Sequence, residues 1–125
     1  FGELLHMTQA ASRLKINDHG GITAVEFIDK NILDETNIQQ IGEEIGRLVD
    51  AQANPRLLIS FRNVDHLSSA ALGTLITINN RVSAKEGQLR LSDIEGQIFE
   101  VFKITKLDRL FEINDTAAEA IKAFD

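Results

Sequence analysis

The chain has 125 residues, 43% of them hydrophobic and 26% charged, which suits one globular domain with a core of its own. Thirteen Lys and Arg against nineteen Asp and Glu leave a net charge of −6, which disfavours nucleic acid and anionic membranes as partners. Zero cysteines exclude disulfides, Cys-ligated zinc and thiol catalysis, and no apolar stretch nears the roughly 18 residues of a membrane span.

Residues 1–12 carry scattered apolar side chains and read as a lead-in or edge element. From 13 to 17 the pattern alternates, with Leu14 and Ile16 on one side, which predicts a strand. Asp18-His19-Gly20-Gly21 is a turn, because glycine supplies the positive φ of a tight hairpin. Residues 22–28 return as a second strand, with Val25 and Phe27 sharing a face. Thr36-x-x-Gln39 fits a capping box and opens a helix whose stripe is Ile38, Ile41, Ile45, Leu48 and Val49. Pro55 ends the connection that follows. Residues 57–64 begin apolar on both faces, as a central strand covered by other layers does.

A second helix is predicted from 69 to about 84, with Ala71, Leu72, Leu75, Ile78 and Val82 facing inward and Gly87 closing it. Leu89 and Leu91 alternate with Arg90 and Ser92 in a short strand. Residues 94–104 read as a helix with Ile98, Phe99, Val101 and Phe102 as its apolar content. Residues 107–111 connect to an extended piece at 111–113, and Thr116-x-x-Glu119 is a second capping box, opening a terminal helix through Phe124. Strands alternating with helices argue for one layered α/β domain. The first residue is Phe1 rather than Met, so the sequence reads as a trimmed piece of a longer chain.

The densest signal is Asp65-His66-Leu67-Ser68-Ser69-Ala70-Ala71-Leu72-Gly73, soon after the apolar run Leu57-Leu58-Ile59. A buried strand runs into a turn that opens a helix with paired serines at its start. Unpaired N–H groups and the positive end of the helix dipole converge there, which suits a phosphate or another anion. Ser68 reads first as an N-cap. Ser69 gains a functional reading from the face behind it: Ala70, Gly73, Thr74, Thr77 and Asn80, all small or polar. Glycine inside an exposed helix costs roughly 0.5–1 kcal/mol relative to alanine. Gly73 therefore implies either close approach by a partner or tight packing within the fold.

Asp65 and His66 beside the serines suggest a catalytic triad, yet no G-x-S-x-G elbow exists and neighbours on a turn point apart. His6, His19 and His66 are scattered, none with a ligand-type partner at i+4, which argues against a metal. Gly20-Gly21 lacks the pattern of a phosphate loop, so no cofactor is expected. Gly42 and Gly46, one helical turn apart, point to close packing on the sheet or a neighbouring helix. Glu43, Glu44 and Asp50 read as a solvated face.

Three stretches resemble the STAS domain family, specifically the bacterial anti-sigma factor antagonists. They are Leu57-Leu58-Ile59-Ser60-Phe61-Arg62-Asn63-Val64, then Leu67-Ser68-Ser69-Ala70-Ala71-Leu72-Gly73-Thr74-Leu75, then Phe102-Lys103-Ile104-Thr105-Lys106-Leu107-Asp108-Arg109-Leu110-Phe111. The resemblance covers residues 12–124 and implies a small mixed sheet of four to five strands with about four helices, mainly on one face. It implies a non-enzymatic, cytoplasmic module that sequesters an anti-sigma factor serine/threonine kinase and so releases sigma. In the family the kinase phosphorylates the antagonist and a metal-dependent phosphatase restores it.

The family's phosphoacceptor is the first serine of a D-S-S-G turn. Alignment on the following leucine puts Ser69 at the acceptor, Ser68 at the acid and Ala71 at the glycine. Ser68 thereby becomes a rival acceptor. The implied partner surface is Asp65, His66, Ser68, Ser69, Ala70, Gly73 and Thr77. Two other classes are a non-switching STAS scaffold or sensor of a larger regulator or transporter and, below it, a nucleotide or small-molecule binder.

Overall fold

A computed structural model describes residues 14–124; the lead-in expected at 1–12 lies outside them, as does His6. Two strands, β1 (Leu14–His19) and β2 (Ile22–Phe27), form the predicted hairpin. Gly20 and Gly21 make its two-residue loop at φ +60° and +91°, values that tight hairpins demand and that glycine adopts without strain. The chain continues through β3 (Asn31–Ile32), α1 (Glu35–Asp50), β4 (Arg56–Ser60), β5 (His66–Leu67), α2 (Ser69–Ala84) and β6 (Gln88–Ser92). It ends with α3 (Gly96–Ile104), a 3₁₀ turn at Leu107–Arg109, β7 (Glu112–Asn114) and α4 (Ala117–Ala123).

Five strands form one mixed sheet in the order β1-β2-β4-β6-β7, with only the β1–β2 pair antiparallel. Its register aligns Val25, Ile59, Leu91 and Ile113 in a single row across four strands. The first three of these are wholly buried, in one core with Ile38, Ile45 and Val49 of α1, Leu72, Leu75 and Ile78 of α2, and Ile98 and Phe102 of α3. The opposite face carries Ile22 and Leu58, which pack with Ala120 of α4. Helices on both sides explain why Leu57, Leu58 and Ile59 are all apolar. The expected α/β sheet with helices mainly on one face is what the chain forms.

Several boundaries differ from expectation: the strand expected at 57–64 ends at Ser60, the first strand runs on through His19, and the last extended piece is Glu112–Asn114. The first helix is capped by Asp34, whose carboxylate accepts the Thr36 N–H at 2.8 Å, so Thr36 sits inside the helix and the Thr36–Gln39 box is not used. The third helix begins at Gly96 rather than 94, because Asp93 turns at φ +58° and redirects the chain; of its apolar residues only Ile98 and Phe102 are buried. At the end of α2 the left-handed residue is Glu86 (φ +55°), with Glu86 N–H to Ser83 C=O at 2.9 Å and Gly87 N–H to Val82 C=O at 2.9 Å. Gly87 is needed for a different reason: a side chain there would run into Pro55. The terminal helix starts as expected, with the Thr116 hydroxyl accepting the Glu119 N–H at 3.1 Å.

The α1–α2 contact depends on missing side chains. A Cβ at Gly42 would stand 2.9 Å from Thr74 Cγ2, and one at Gly46 would stand 2.7 Å from Arg81 Nη1. The close approach lets Arg81 reach Asp50 with Nε at 3.2 Å and Nη2 at 2.5 Å from the two carboxylate oxygens. Lys85 meanwhile donates to the Val49 and Asp50 carbonyls at 3.2 and 2.9 Å, satisfying the C-terminal end of α1. The Arg81 hydrogen bond, aided by the charges of Arg81 and Lys85, outweighs desolvation and holds the Asp50 carboxyl below its ordinary 3.8. A depressed carboxyl stabilises the fold at neutral pH and loses that contribution as acid protonates it. An NMR titration is expected to place the Asp50 midpoint below that of an ordinary aspartate, and Arg81→Ala is expected to bring it back up.

Candidate functional site

Beyond Ser60 the chain crosses the C-terminal edge of the sheet through residues 61–65. Phe61 anchors the start of that crossing. Its buried ring lies 5.2 Å from the Phe27 ring and 6.3 Å from that of Phe102, and its N–H donates to Ser92 C=O at 2.9 Å. The far end is held by the Lys30 carbonyl, which accepts the N–H groups of Asp65 and His66 at 2.7 and 3.2 Å. Next, β5 pairs with β3 in a separate two-stranded parallel ladder, Asn31 against His66 and Ile32 against Leu67. The Ser68 N–H then donates to Ile32 C=O at 3.1 Å. Two-residue strands leave almost no periodic trace, so this dock was not legible in the sequence. Its one hint is the polar run Asp29-Lys30-Asn31 interrupting two apolar segments.

The two serines have different surroundings. Ser68 is the N-cap of α2, half-buried, with φ −83° and ψ 165°, and its Oγ accepts the Ala71 N–H at 3.2 Å. Its carbonyl takes the N–H groups of Ala71 and Leu72 at 3.1 and 3.2 Å. Ser69 is the first helical residue, and it is exposed. No acid stands in the first turn of α2, whereas α1 opens with Asp34 and Glu35. The positive end of the α2 dipole is therefore left without an acidic partner in its own first turn.

Asp65, His66, Ala70, Gly73 and Thr77 are exposed along with Ser69. Among the described residues a Cβ at Gly73 would meet nothing within 4 Å, so packing against them does not require glycine there. The Thr77 hydroxyl bonds back to the Gly73 carbonyl at 3.2 Å, lying along the helix rather than projecting from it. Thr74 belongs instead to the contact with α1, through Gly42. An open depression separates the two helices at this end, lined by Glu35, Thr36, Gln39, Ala70 and Thr74. The depression thus adjoins Ala70, the neighbour of Ser69 in the first turn of α2.

The His66 ring is committed elsewhere. Its Nδ1 lies 2.7 Å from Asn31 Oδ1, across the β3–β5 ladder. Among the described residues no hydrogen bond joins His66 to Asp65, Ser68 or Ser69, so the sequence neighbours do not assemble a nucleophile and base. The described residues likewise hold no group of three or more His, Asp or Glu arranged for a metal ion.

Residues 13–120 match the STAS domain family, and the chain belongs to that family. It is similar to the Bordetella bronchiseptica protein BtrV, whose name assigns it provisionally to the anti-sigma factor antagonists. Identity is 23% over 95 residues, 76% of this chain and 81% of that one. Its fold matches a solved anti-sigma-factor antagonist (STAS) domain protein from Planctomyces limnophilus with a TM-score of 0.82 at 20% identity, covering 90% of this chain and 97% of the other. The Bacillus cell fate determinant SpoIIAA, solved in its phosphorylated form, superposes with a TM-score of 0.68 at 16% identity, covering 87% of this chain and 96% of that one.

An alanine methyl at Gly73 would project into open space and lower the backbone entropy lost on folding. Gly73→Ala is thus expected to raise the unfolding free energy by about 0.5–1 kcal/mol. A urea titration that leaves the midpoint unmoved, or lowers it, contradicts the open-space geometry.

Proposed function

We propose that the protein is an anti-sigma factor antagonist, a cytoplasmic, non-catalytic module that sequesters an anti-sigma factor kinase until Ser69 is phosphorylated. The observation that carries this reading is the exposed Ser69 at a helix start with no acid in its first turn, beside the small exposed residues Ala70, Gly73 and Thr77. The names of the relatives support it as well. Asp65 and His66 extend the same partner surface on the β5 side. Between the two serines, Ser69 is the better acceptor, since the Ser68 oxygen is half-buried and occupied in capping.

In this scheme the kinase transfers the γ-phosphoryl group of ATP to the Ser69 oxygen, releasing ADP and the hydroxyl proton. A metal-dependent phosphatase hydrolyses the ester and returns the hydroxyl and inorganic phosphate. The phosphate adds about −1.5 to −2 charges. At a helix N-terminus that charge is tolerated by the fold. Its effect falls on the interface, where a bulky, hydrated dianion stands on a surface that must be desolvated to bind. No helix in the described residues is long and apolar enough to cross a membrane.

The test uses an anti-sigma factor serine/threonine kinase that binds the wild-type chain in vitro. Ser69→Ala is expected to bind it within about threefold of wild type, and Ser69→Asp at least about tenfold more weakly, about 1.4 kcal/mol. Equal binding by the two variants overturns the switch. Ser68→Ala is expected to cost about 1 kcal/mol of stability through the lost cap while phosphate still maps to Ser69.

A further inference from the structure

Two serines end neighbouring central strands. Ser60 closes β4 and Ser92 closes β6; they face each other in the parallel ladder and are 5% and 0% exposed. Both hydroxyls donate to one oxygen, Oδ2 of Asp93, at 3.0 and 2.7 Å. Asp93 leaves β6 at φ +58°, a left-handed conformation that Asp and Asn adopt more readily than most residues. Its N–H donates to Asp115 C=O at 3.2 Å.

A buried hydroxyl is costly unless bonded, and an apolar residue would close a strand without that demand. What Ser60 adds is a link onward. Its Oγ also accepts the Arg62 N–H at 3.4 Å, while the Phe61 N–H bonds to Ser92 C=O at 2.9 Å. Asp93 therefore grips the first residues of the 61–65 crossing, as the Lys30 carbonyl grips its last. Ser69 stands four residues beyond that crossing.

We propose that Asp93 is a positioning residue for Ser69: through Ser60 it sets where the 61–65 crossing leaves the sheet, and so where the Ser69 hydroxyl is presented. This inference rests on the reading of Ser69 as phosphoacceptor. A reacting atom misplaced by about 1 Å loses on the order of a hundredfold in rate even when docking is intact. A positioning defect consequently appears in kcat for phosphorylation, with KM spared because the Ala70, Gly73 and Thr77 surface is untouched.

The experiment compares Asp93→Gly, which suits the positive φ but removes the carboxylate, with Ser60→Ala, which cuts the link, and Asp93→Asn, which keeps one acceptor oxygen. Amide exchange at Phe61 and Arg62 is expected to accelerate about tenfold in the first two, with Leu57, Leu58 and Ile59 as protected as in wild type. With the kinase used for the Ser69 variants and ATP, kcat for Ser69 is expected to fall at least about fivefold while KM stays within about twofold. Asp93→Asn is expected to lie near wild type in both readouts. Exchange that rises uniformly along β4, or a kcat that does not move while Ser69 is phosphorylated, overturns the positioning role alone. A wild-type chain that takes no phosphate on Ser69 overturns both readings.

Discussion

Everything in this domain hangs from the parallel register of β2, β4, β6 and β7. That register stacks Val25, Ile59, Leu91 and Ile113 into one apolar row, the surface on which α1, α2 and α3 assemble. Parallel pairing also forces each strand to return by a crossover, so α1 and α2 begin at the same edge of the sheet. The β3–β5 ladder then draws the two entry segments together. Placing a serine at a helix start near the C-terminal edge is thus a consequence of the core packing, and ligand surfaces of open α/β sheets gather at that edge.

Glycine illustrates how one residue type serves opposite ends in neighbouring helices. At Gly42 and Gly46 of α1 the absent side chain lets Thr74 and Arg81 of α2 come close, and the domain gains a tight helix pair. At Gly73 none of the described residues comes close, and the absent side chain leaves room for something outside them. The first pair serves stability; the single glycine is a local cost whose benefit lies outside the fold. Exposure, not spacing, separates the two roles.

Strong periodicity made most of the architecture readable. The stripe from Ile38 to Val49 and the inward positions from Ala71 to Val82 each bury enough surface to imprint a pattern, whereas of the alternating pair Leu14 and Ile16 only Leu14 is buried. The helix start at Ser68 and Ser69 was readable because serine before an apolar helical stripe carries a local physical reason as a cap. What escaped depends on contacts between distant segments. Asp34 outcompetes Thr36 as a cap only once its extended backbone is set, and Gly87 is explained only by Pro55, remote in sequence. The Ser60–Asp93–Ser92 cluster joins residues on two strands, so no window of sequence could display it.

One margin of the large sheet belongs to β1, where every residue after Leu14 is exposed and Ile16 shows 41% of its surface. Bare strand margins invite other molecules to add strands, the first step toward fibrils. Here the strand is six residues long, carries Lys15 and Asp18 outward, and belongs to a chain of net charge −6. Like-charged molecules repel before their margins can meet. Near the isoelectric point of about 5.0 the net charge vanishes, and this guard over the β1 margin is lost.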